Sequence, residues 1–293
     1  MERRKFLETA LGLGVAAPLL PLMSAVVPMN AEQLPKGETA MSPAPERNPR
    51  LRIFITGSAS GLGHLAAEAL LAEGHEVVVH VRSAARQSAV ADLLAQGARV
   101  TIGDLSDMAQ TRRLAEDLNG IGRMDGVIHN AGVISGASLL PVNVVAPYLL
   151  TALMQRPKRL IYLSSNMHRG GKAELAGLDW SGQRVTASYS DSKLFITAFA
   201  RAVARLWPDV LSNAVDPGWV PTRMGGPNAP DDLRLGHLTQ EWLATSNDPE
   251  ALKSGYYWHH QRIVAPIQAS GDVDFQNRLI AELARFTGTA LPS

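Results

Sequence analysis

The 293-residue sequence contains no cysteine. That absence excludes disulfide bonds, thiol nucleophiles and thiolate metal sites. Lys and Arg (28 together) nearly balance Asp and Glu (27), so the formal net charge of +1 does not favour a nucleic acid or an anionic membrane surface as a partner. Beyond the N-terminal segment no apolar run is long enough to span a bilayer, which predicts no stable membrane span after that segment is processed.

Residues 1–31 have the sequence pattern of a targeting signal and not of an enzyme domain. The basic and apolar stretch Arg3–Leu7 precedes a run rich in Ala, Leu and Gly that carries no charge after Glu8. This arrangement resembles a twin-arginine signal, which predicts an exported or periplasmic protein. A membrane-tethering helix and a cytoplasmic protein with a disordered extension are the alternatives. Pro18 and Pro21 interrupt the run and argue against a long spanning helix.

Residues 32–50 are predicted to form a flexible linker. Seven of the 18 prolines lie between Pro18 and Pro49, and this stretch has neither helical nor strand periodicity. The remaining sequence has the length and composition of one globular domain, so residues 51–293 are predicted to fold as a single unit.

From Leu51 onward, β-branched runs alternate with segments of helical spacing. The predicted strands are LRIFITG, HEVVVHV, ARVTIGDLSD, MDGVIHNAG, PKRLIYLSS and PDVLSNAVDPG. The predicted helices between them include GLGHLAAEALLAEG, SAARQSAVADLLAQG, MAQTRRLAEDLNG and YSDSKLFITAFARAVARLW. This alternation predicts right-handed βαβ units. The fold class is therefore α/β, a doubly wound parallel sheet in a single Rossmann-like domain, with ligand sites at the carboxyl ends of the strands.

A glycine-rich turn, TGSASGLG, connects the first predicted strand to the first helix. Glycines in such a turn let the backbone approach a pyrophosphate at the helix N-terminus. The spacing is T-G-x-x-x-G-x-G and not the G-x-G-x-x-G of the commonest dinucleotide fingerprint. The candidate cofactor-binding residues of this turn are Thr56, Gly57, Ser58, Ser60, Gly61, Leu62 and Gly63.

Tyr189 and Lys193 are four residues apart at the start of a predicted helix, so their side chains share one face. A phenol is almost wholly protonated at neutral pH, and a neighbouring ammonium group would lower its pKa toward the working range. Taken alone, the pair is equally consistent with a solvated helix face.

Further motifs follow the later strands in a fixed order. HNAG ends one strand, Asn143 opens the helical run NVVAPYLLTALM, Ser165 ends the strand LIYLSS, and DPGWVPT follows a later strand. Each motif except the Asn143 run falls at or just beyond a strand's carboxyl end, where a doubly wound sheet places its ligand cleft.

Together with TGSASGLG and YSDSK, this series resembles the classical short-chain dehydrogenase/reductase family from Leu51 to about Thr222. DPGWVPTRMGGPNAPDD and SGYYWHH resemble bacterial carbonyl reductases of the daunorubicin ketoreductase type. The insertion between Ser165 and Tyr189 is similar to that of retinol-dehydrogenase-like members. His129 departs from the family pattern, in which many members have Asn.

The resemblance implies a role for each matched residue. Tyr189 would donate or accept the proton, and Lys193 would activate it. Ser165, with Ser164 as the alternative, would hydrogen-bond the substrate oxygen, and Asn143 would hold a water that links Lys193 to solvent. Tyr189 and Lys193 would also contact the cofactor, as would Asp104, Leu105, Asn130, Ala131, Gly132, Pro217, Gly218, Val220 and Thr222.

The end of the second predicted strand bears on the choice of cofactor. An Asp there would bind the adenosine ribose hydroxyls and repel a 2′-phosphate, but VVVHVRS places Arg82 and Ser83 at this point. Arg82 would pair with a 2′-phosphate, the alternative being an exposed, solvated arginine. The sequence therefore favours NADP(H) over NAD(H).

Two segments near the C-terminus are candidates for substrate contact. Residues 219–250 lie where the resembled family has a substrate lid. Tyr256, Tyr257 and Trp258 would either line an apolar pocket or belong to the core.

Three histidines raise the question of a metal. Adjacent His259 and His260 on a strand would point to opposite faces, and no carboxylate lies at ligand spacing from them or from His168. No metal site is predicted.

The expected function is an NADP(H)-dependent oxidoreductase that interconverts a ketone or aldehyde and its alcohol, acting on a small apolar molecule. A catalytically silent dinucleotide-binding sensor is an alternative, although such proteins usually lack the Tyr or the Lys. A sugar-nucleotide epimerase of the extended branch is disfavoured by the glycine spacing and by only about 70 residues after Thr222. Association into a homo-oligomer is implied by the resemblance alone.

Overall fold

Runs of Val and Ile form the central strands, because a parallel strand covered on both faces buries every side chain. The computed structural model describes residues 49–293. Its strands are β1 Arg52–Ile55, β2 Glu76–Val81, β3 Arg99–Ile102, β4 Gly126–His129, β5 Arg159–Leu163, β6 Leu211–Asp216, β7 Tyr257–His259 and β8 Arg262–Ile263. They form one sheet in the order β3-β2-β1-β4-β5-β6-β7-β8.

The pairings along this sheet are parallel except for the last, β7 with β8. The predicted doubly wound α/β fold is confirmed. The antiparallel edge strand β8 was not predicted, because its two residues are too few to show a periodic pattern.

The helices of the described residues cover both faces of the sheet. They are α1 Gly61–Ala72, α2 Ala91–Ala95, α3 Met108–Ile121, α4 Ala146–Leu153, α5 Tyr189–Leu206, α6 Leu233–Thr245 and α7 Val273–Thr287. Helices α1, α2 and α6 bury apolar side chains against one face, and α3, α4, α5 and α7 against the other. The helix predicted from SAARQSAVADLLAQG divides into a 3₁₀ segment, Ala84–Val90, followed by α2.

The strand order reverses between β1 and β4, which are neighbours in the sheet but not in the chain. Connections that leave such a pair in opposite directions open a crevice at the carboxyl ends of the strands. The TGSASGLG turn follows β1 and the HNAG motif includes the end of β4. The topology therefore places these two motifs on either side of the crevice.

The predicted signal segment, residues 1–31, lies outside the described residues. The predicted linker spans residues 32–50, and its residues 32–48 also lie outside them. Among the helices of residues 49–293, none combines the length and the apolar character needed to cross a bilayer.

Candidate active site

A cleft of about 680 Å³ lies at the carboxyl ends of the central strands. It joins the turn after β1, the ends of β2 and β4, the start of α5 and the loop after β6. The predicted residues that line it are Gly57, Ser60, Gly61, Leu62, Arg82, Asp104, Leu105, Asn130, Ala131, Gly132, Tyr189, Lys193, Pro217 and Thr222. The structure therefore brings predicted residues from 57 to 222 in the sequence to one cavity.

Glycines allow the turn after β1 to lie against the HNAG loop. A Cβ on Gly63 would stand 2.3 Å from Asn130 Nδ2 and 2.9 Å from the Gly57 carbonyl oxygen. Gly57 has a left-handed backbone (φ 72°), and a Cβ there would come within 3.0 Å of Ala131 Cα. Because no side chains intervene, the turn leaves backbone groups facing the cleft beside the N-terminus of α1. That arrangement suits a pyrophosphate.

Three predicted residues of this turn support it from behind and do not line the cleft. The Thr56 hydroxyl accepts the Ala131 N–H at 2.9 Å, and the fully buried Ser58 hydroxyl donates to the Ile55 carbonyl at 2.7 Å. Gly63 contacts Asn130, as described above. The motif alone does not distinguish cleft residues from supporting residues.

Tyr189 is the first residue of α5, which Ser188 and Asp191 begin with a reciprocal capping box. Burial raises the pKa of Tyr189 to about 12, although a hydrogen bond with the Ser165 side chain acts in the opposite direction. Tyr189 therefore carries its proton at neutral pH.

Lys193 is one turn further along α5 and only 5% exposed. Its Nζ donates to the Leu163 carbonyl at 2.8 Å and lies 5.4 Å from the centre of the Tyr189 ring. Burial lowers the pKa of Lys193 to about 8, against an opposing effect of the Asp216 carboxylate. We expected the Lys193 ammonium to govern the pKa of Tyr189. In the structure burial has the larger effect and raises that pKa.

The structure places Ser165, and not Ser164, beside Tyr189. The Ser164 hydroxyl is buried and hydrogen-bonds Thr197 Oγ1 at 2.6 Å in the core. Ser165 caps the short 3₁₀ turn Asn166–Gly170, where its hydroxyl accepts the Met167 N–H at 3.2 Å, and its side chain is near enough to Tyr189 to act on the pKa of the phenol.

Asn143 lies in a π-helical turn, Pro141–Val145, directly before α4. Its side-chain amide exchanges two hydrogen bonds of 2.9 Å with the Val133 backbone and donates to Ser192 Oγ at 3.0 Å. The side chain therefore clamps the segment after HNAG to α5. The water-holding role implied for Asn143 stays a prediction.

The far end of the cleft carries positive charge. Arg82 lines it with its side chain 74% exposed and its Nε 3.9 Å from Asp104 Oδ2. Arg86, four residues later in the 3₁₀ segment, lines the same cleft, as does Arg223. The sequence interpretation missed Arg86 and Arg223. The place of Arg86 just after the second strand was the available signal for the first of them.

The DPGWVPT loop crosses from β6 to the glycine turn. Gly218 has a left-handed backbone (φ 82°), and a Cβ there would stand 2.6 Å from Asp231 Oδ2. Val220 is buried against Gly236 of α6, and Thr222 reaches the position of Gly61. Of the predicted residues in this loop, Gly218 and Val220 hold it in place, while Pro217 and Thr222 line the cleft.

Within residues 219–250, the loop and the helix have different surroundings. Met224 lines the cleft and Trp219 is 60% exposed, whereas α6 packs against α1. Further along, Tyr257 and Trp258 are buried in the core, and Tyr256 is 41% exposed.

The expectation that His259 and His260 point to opposite faces is wrong. Their rings stack with centres 3.8 Å apart, because the chain turns between β7 and β8 through His260 (φ 46°) and Gln261 (φ 60°). His168 is fully buried and hydrogen-bonds the Ser165 carbonyl at 2.8 Å through Nδ1. Within residues 49–293, no three His, Asp or Glu side chains lie close enough together to hold a metal ion.

The short chain dehydrogenase family profile matches residues 52–156. Over 257 residues the chain is 36% identical to the uncharacterized oxidoreductase AN7799 of Emericella nidulans, covering 83% of this chain and 99% of that protein. The chain belongs to the short-chain dehydrogenase family. This family assignment makes it an oxidoreductase.

A further relative agrees with this assignment, and two solved structures share the fold. A Streptomyces protein with the name "Putative daunorubicin C-13 ketoreductase DnrU" is 31% identical over 71% of this chain and 83% of its own length. A Mycobacterium paratuberculosis protein of solved structure shares the fold with a TM-score of 0.70 at 24% identity, over 84% of this chain and 97% of its own. The Pseudomonas aeruginosa RhlG/NADP complex shares it with a TM-score of 0.59 at 22% identity, over 77% and 98%.

Proposed function

We propose that this short-chain dehydrogenase is an NADP(H)-dependent enzyme that interconverts a ketone or aldehyde and the corresponding alcohol, with Tyr189 as the acid-base group. One observation carries the proposal: a partly buried, protonated Tyr189 lies on the wall of the cleft that also contains the glycine turn and three arginines. The name of the relative DnrU, "Putative daunorubicin C-13 ketoreductase", supports the reaction class.

The lining residues fit a phosphorylated dinucleotide along the whole cleft. The turn Gly57–Leu62 would hold the pyrophosphate, Asp104 and Leu105 the adenine edge, and Arg82 with Arg86 the 2′-phosphate. The solved complex of RhlG with NADP supports this choice of cofactor. When bound, a nicotinamide cofactor supplies or accepts a hydride at the carbonyl carbon.

The residues of the chain then move the proton. In reduction, the Tyr189 hydroxyl donates its proton to the oxygen that becomes the alcohol, and the Ser165 hydroxyl hydrogen-bonds that oxygen. The Lys193 ammonium, buried beside Tyr189, stabilises the negative charge left on the phenol oxygen. Oxidation uses the same groups in reverse.

The cleft mouth favours an apolar substrate. Ile134 and Met224 line the cleft and remain 52% and 46% exposed, and Trp219 beside Gly218 is 60% exposed. Exposed apolar side chains that cluster around a cleft provide area for a hydrophobic ligand.

The direct test follows NADPH and NADH consumption over a panel of ketones and aldehydes, and NADP⁺ and NAD⁺ reduction over a panel of alcohols. Turnover that depends on the phosphorylated cofactor is the expected result. Cofactor binding without turnover of any carbonyl or alcohol would instead favour a silent dinucleotide-binding sensor.

Replacing Lys193 with Met is expected to stabilise the folded protein at pH 7 while turnover falls. At pH 7 Lys193 is charged in both the folded and the unfolded state, so the folded protein bears the full free-energy cost of burying that charge. The difference between a pKa of about 8 in the folded protein and the ordinary value of 10.5 corresponds to about 3 kcal/mol. Loss of the hydrogen bond to the Leu163 carbonyl offsets about 1 kcal/mol of that gain.

Urea denaturation of both proteins across pH measures this effect. As pH rises through about 8, the folded wild type loses the Lys193 proton before the unfolded chain does, so its stability approaches that of the variant. Subtracting the unfolding free energy of the wild type from that of the variant at each pH cancels the contributions of the titratable groups that both proteins contain. A gain that stays constant from pH 7 to about 10 would contradict a lowered pKa for Lys193.

We also propose that the protein is exported through the twin-arginine route. The stretch that suggests this, Arg3–Leu7, precedes an uncharged apolar run. A route that carries folded proteins would deliver a dinucleotide-binding domain with its ligand already bound. Replacing Arg3 and Arg4 with Lys should retain the protein in the cytosol, as measured by cell fractionation. An unchanged distribution, or a wild type that stays wholly cytosolic at full length, would exclude export.

A further inference from the structure

His80 is a buried histidine on β2 that connects the two loops of the dinucleotide end of the cleft. It is 3% exposed and is one of the residues that line the cleft. Its Nδ1 accepts the Gly57 N–H at 3.1 Å, and its Nε2 lies 2.7 Å from the Gly103 carbonyl oxygen. One imidazole thus joins the glycine turn after β1 to the segment that leads from β3 into Asp104.

These two contacts determine the tautomer of His80. A carbonyl oxygen can only accept a hydrogen bond, so the Nε2 atom that faces Gly103 carries the proton. Nδ1 is then unprotonated and accepts the Gly57 N–H. Burial lowers the pKa of His80, although the Gly103 carbonyl and the Asp104 carboxylate oppose this effect. A neutral ring is the only form that satisfies both neighbours, since a charged imidazole donates from both nitrogens.

The backbone of His80 strengthens the same connection. Its carbonyl accepts the Ser58 N–H at 3.0 Å, and its N–H donates to Ser58 Oγ at 3.3 Å. Phe54 of β1 packs against the ring with centres 6.5 Å apart and an interplanar angle of 81°. The position of the imidazole is therefore determined by both the strand and the core.

We propose that His80 is a positioning residue that sets the distance between the Gly57 turn and the Gly103–Asp104 segment, and thereby the affinity for the dinucleotide. This inference rests on the proposed cofactor. Without the imidazole, the half-buried Gly57 N–H and the buried Gly103 carbonyl lose their partners. Among the hydrogen bonds of residues 49–293, the two loops also lose the only side chain that joins both. The loops contact the parts of a dinucleotide that NADPH and NADH share, so both cofactors should lose affinity together.

The experiment uses the full chain and three variants of His80. His80→Phe keeps the ring and removes both hydrogen bonds, His80→Asn keeps an acceptor near the Nδ1 position, and His80→Gln keeps a donor near Nε2. Dissociation constants of NADPH and NADH are measured by quenching of protein fluorescence, and stability by urea denaturation without cofactor. We expect His80→Phe to weaken both cofactors by about tenfold and by similar factors. His80→Asn and His80→Gln should each restore part of the affinity.

Thr101→Val is the matched control. Thr101 is 6% exposed and its hydroxyl donates to the Val79 carbonyl at 3.1 Å, so it also joins β2 to β3, but it hydrogen-bonds neither loop. This variant should lose stability with unchanged dissociation constants. A purely structural His80 would behave in the same way, and that result would overturn the proposal.

If His80→Phe does not fold, the Asn and Gln variants test the proposal instead. Cofactor binding as tight as that of the wild type in both variants contradicts the proposal, and weaker binding in both supports it. A loss confined to NADPH would contradict it, because that result points to the 2′-phosphate contact. If the wild type binds neither cofactor, the proposed function fails, a result distinct from His80 variants that bind as well as a binding wild type.

Discussion

Replacing Tyr189 with Phe is expected to lower turnover by about two to four orders of magnitude, the usual contribution of a positioned acid-base group. The change removes the hydroxyl that carries the proton and keeps the ring, which is packed at the start of α5. Burial holds the pKa of Tyr189 at about 12, so this hydroxyl is protonated at neutral pH and ready to donate in carbonyl reduction. Cofactor affinity should stay almost unchanged, because in the proposed reaction the phenol oxygen would contact the substrate and the rest of the cleft lining is retained.

Steady-state kinetics together with cofactor titration separate the two effects. Tyr256→Phe serves as the control, since it removes a phenol hydroxyl from a 41% exposed side chain outside the cleft lining. A Tyr189→Phe enzyme that kept more than about a tenth of wild-type turnover would show that another group moves the proton. Equal loss of cofactor binding and turnover would assign Tyr189 to binding.

Replacing Arg82 with Ala is expected to weaken NADPH binding by about 1.5 to 3 kcal/mol, which is tenfold or more, and to leave NADH binding nearly unchanged. The guanidinium lines the end of the cleft beyond β2, where a 2′-phosphate would lie. Because the Arg82 side chain is 74% exposed, solvent screens part of the interaction, and the lower end of this range is expected.

Arg86 and Arg278 give this experiment its internal comparisons. Arg86→Ala should act in the same direction as Arg82→Ala, because Arg86 lines the same end of the cleft. Arg278→Ala removes an exposed arginine from α7, outside the cleft lining, and should change neither affinity. Equal losses of NADPH and NADH in Arg82→Ala would assign Arg82 to the fold, and tighter binding of NADH by the wild type would overturn the assignment of cofactor.

Several features were predictable because they depend on local chemistry. Alternating β-branched runs and helical spacings require strands and helices in that order, and parallel strands place their carboxyl ends together. Gly57 of TGSASGLG was predictable for the same reason, since its backbone is left-handed, whereas Gly63 lacks room for a Cβ because of the distant Asn130. The pairing of Tyr189 with Lys193 on one helix face follows from helical periodicity alone.

The tertiary structure decided what depends on contacts between distant segments. Only the packing of α5 against β5 shows that the Ser164 hydroxyl binds Thr197 in the core, although Ser164 borders the cleft, and that Ser165 lies near Tyr189. The pKa values of Tyr189 and Lys193 depend on burial, which no spacing of residues encodes.

Two arginines and one histidine also have roles that only the tertiary structure reveals. Arg86 and Arg223 meet in one cleft only because residues 137 positions apart in the chain converge there. His80 looks like an ordinary strand residue in VVVHVRS, and its role as a connection between two loops exists only once β1, β2 and β3 are side by side. The sequence by itself thus determined the order of elements and the chemistry available. The folded chain decided which groups meet, because hydrogen bonding and burial depend on distances in space and not along the chain.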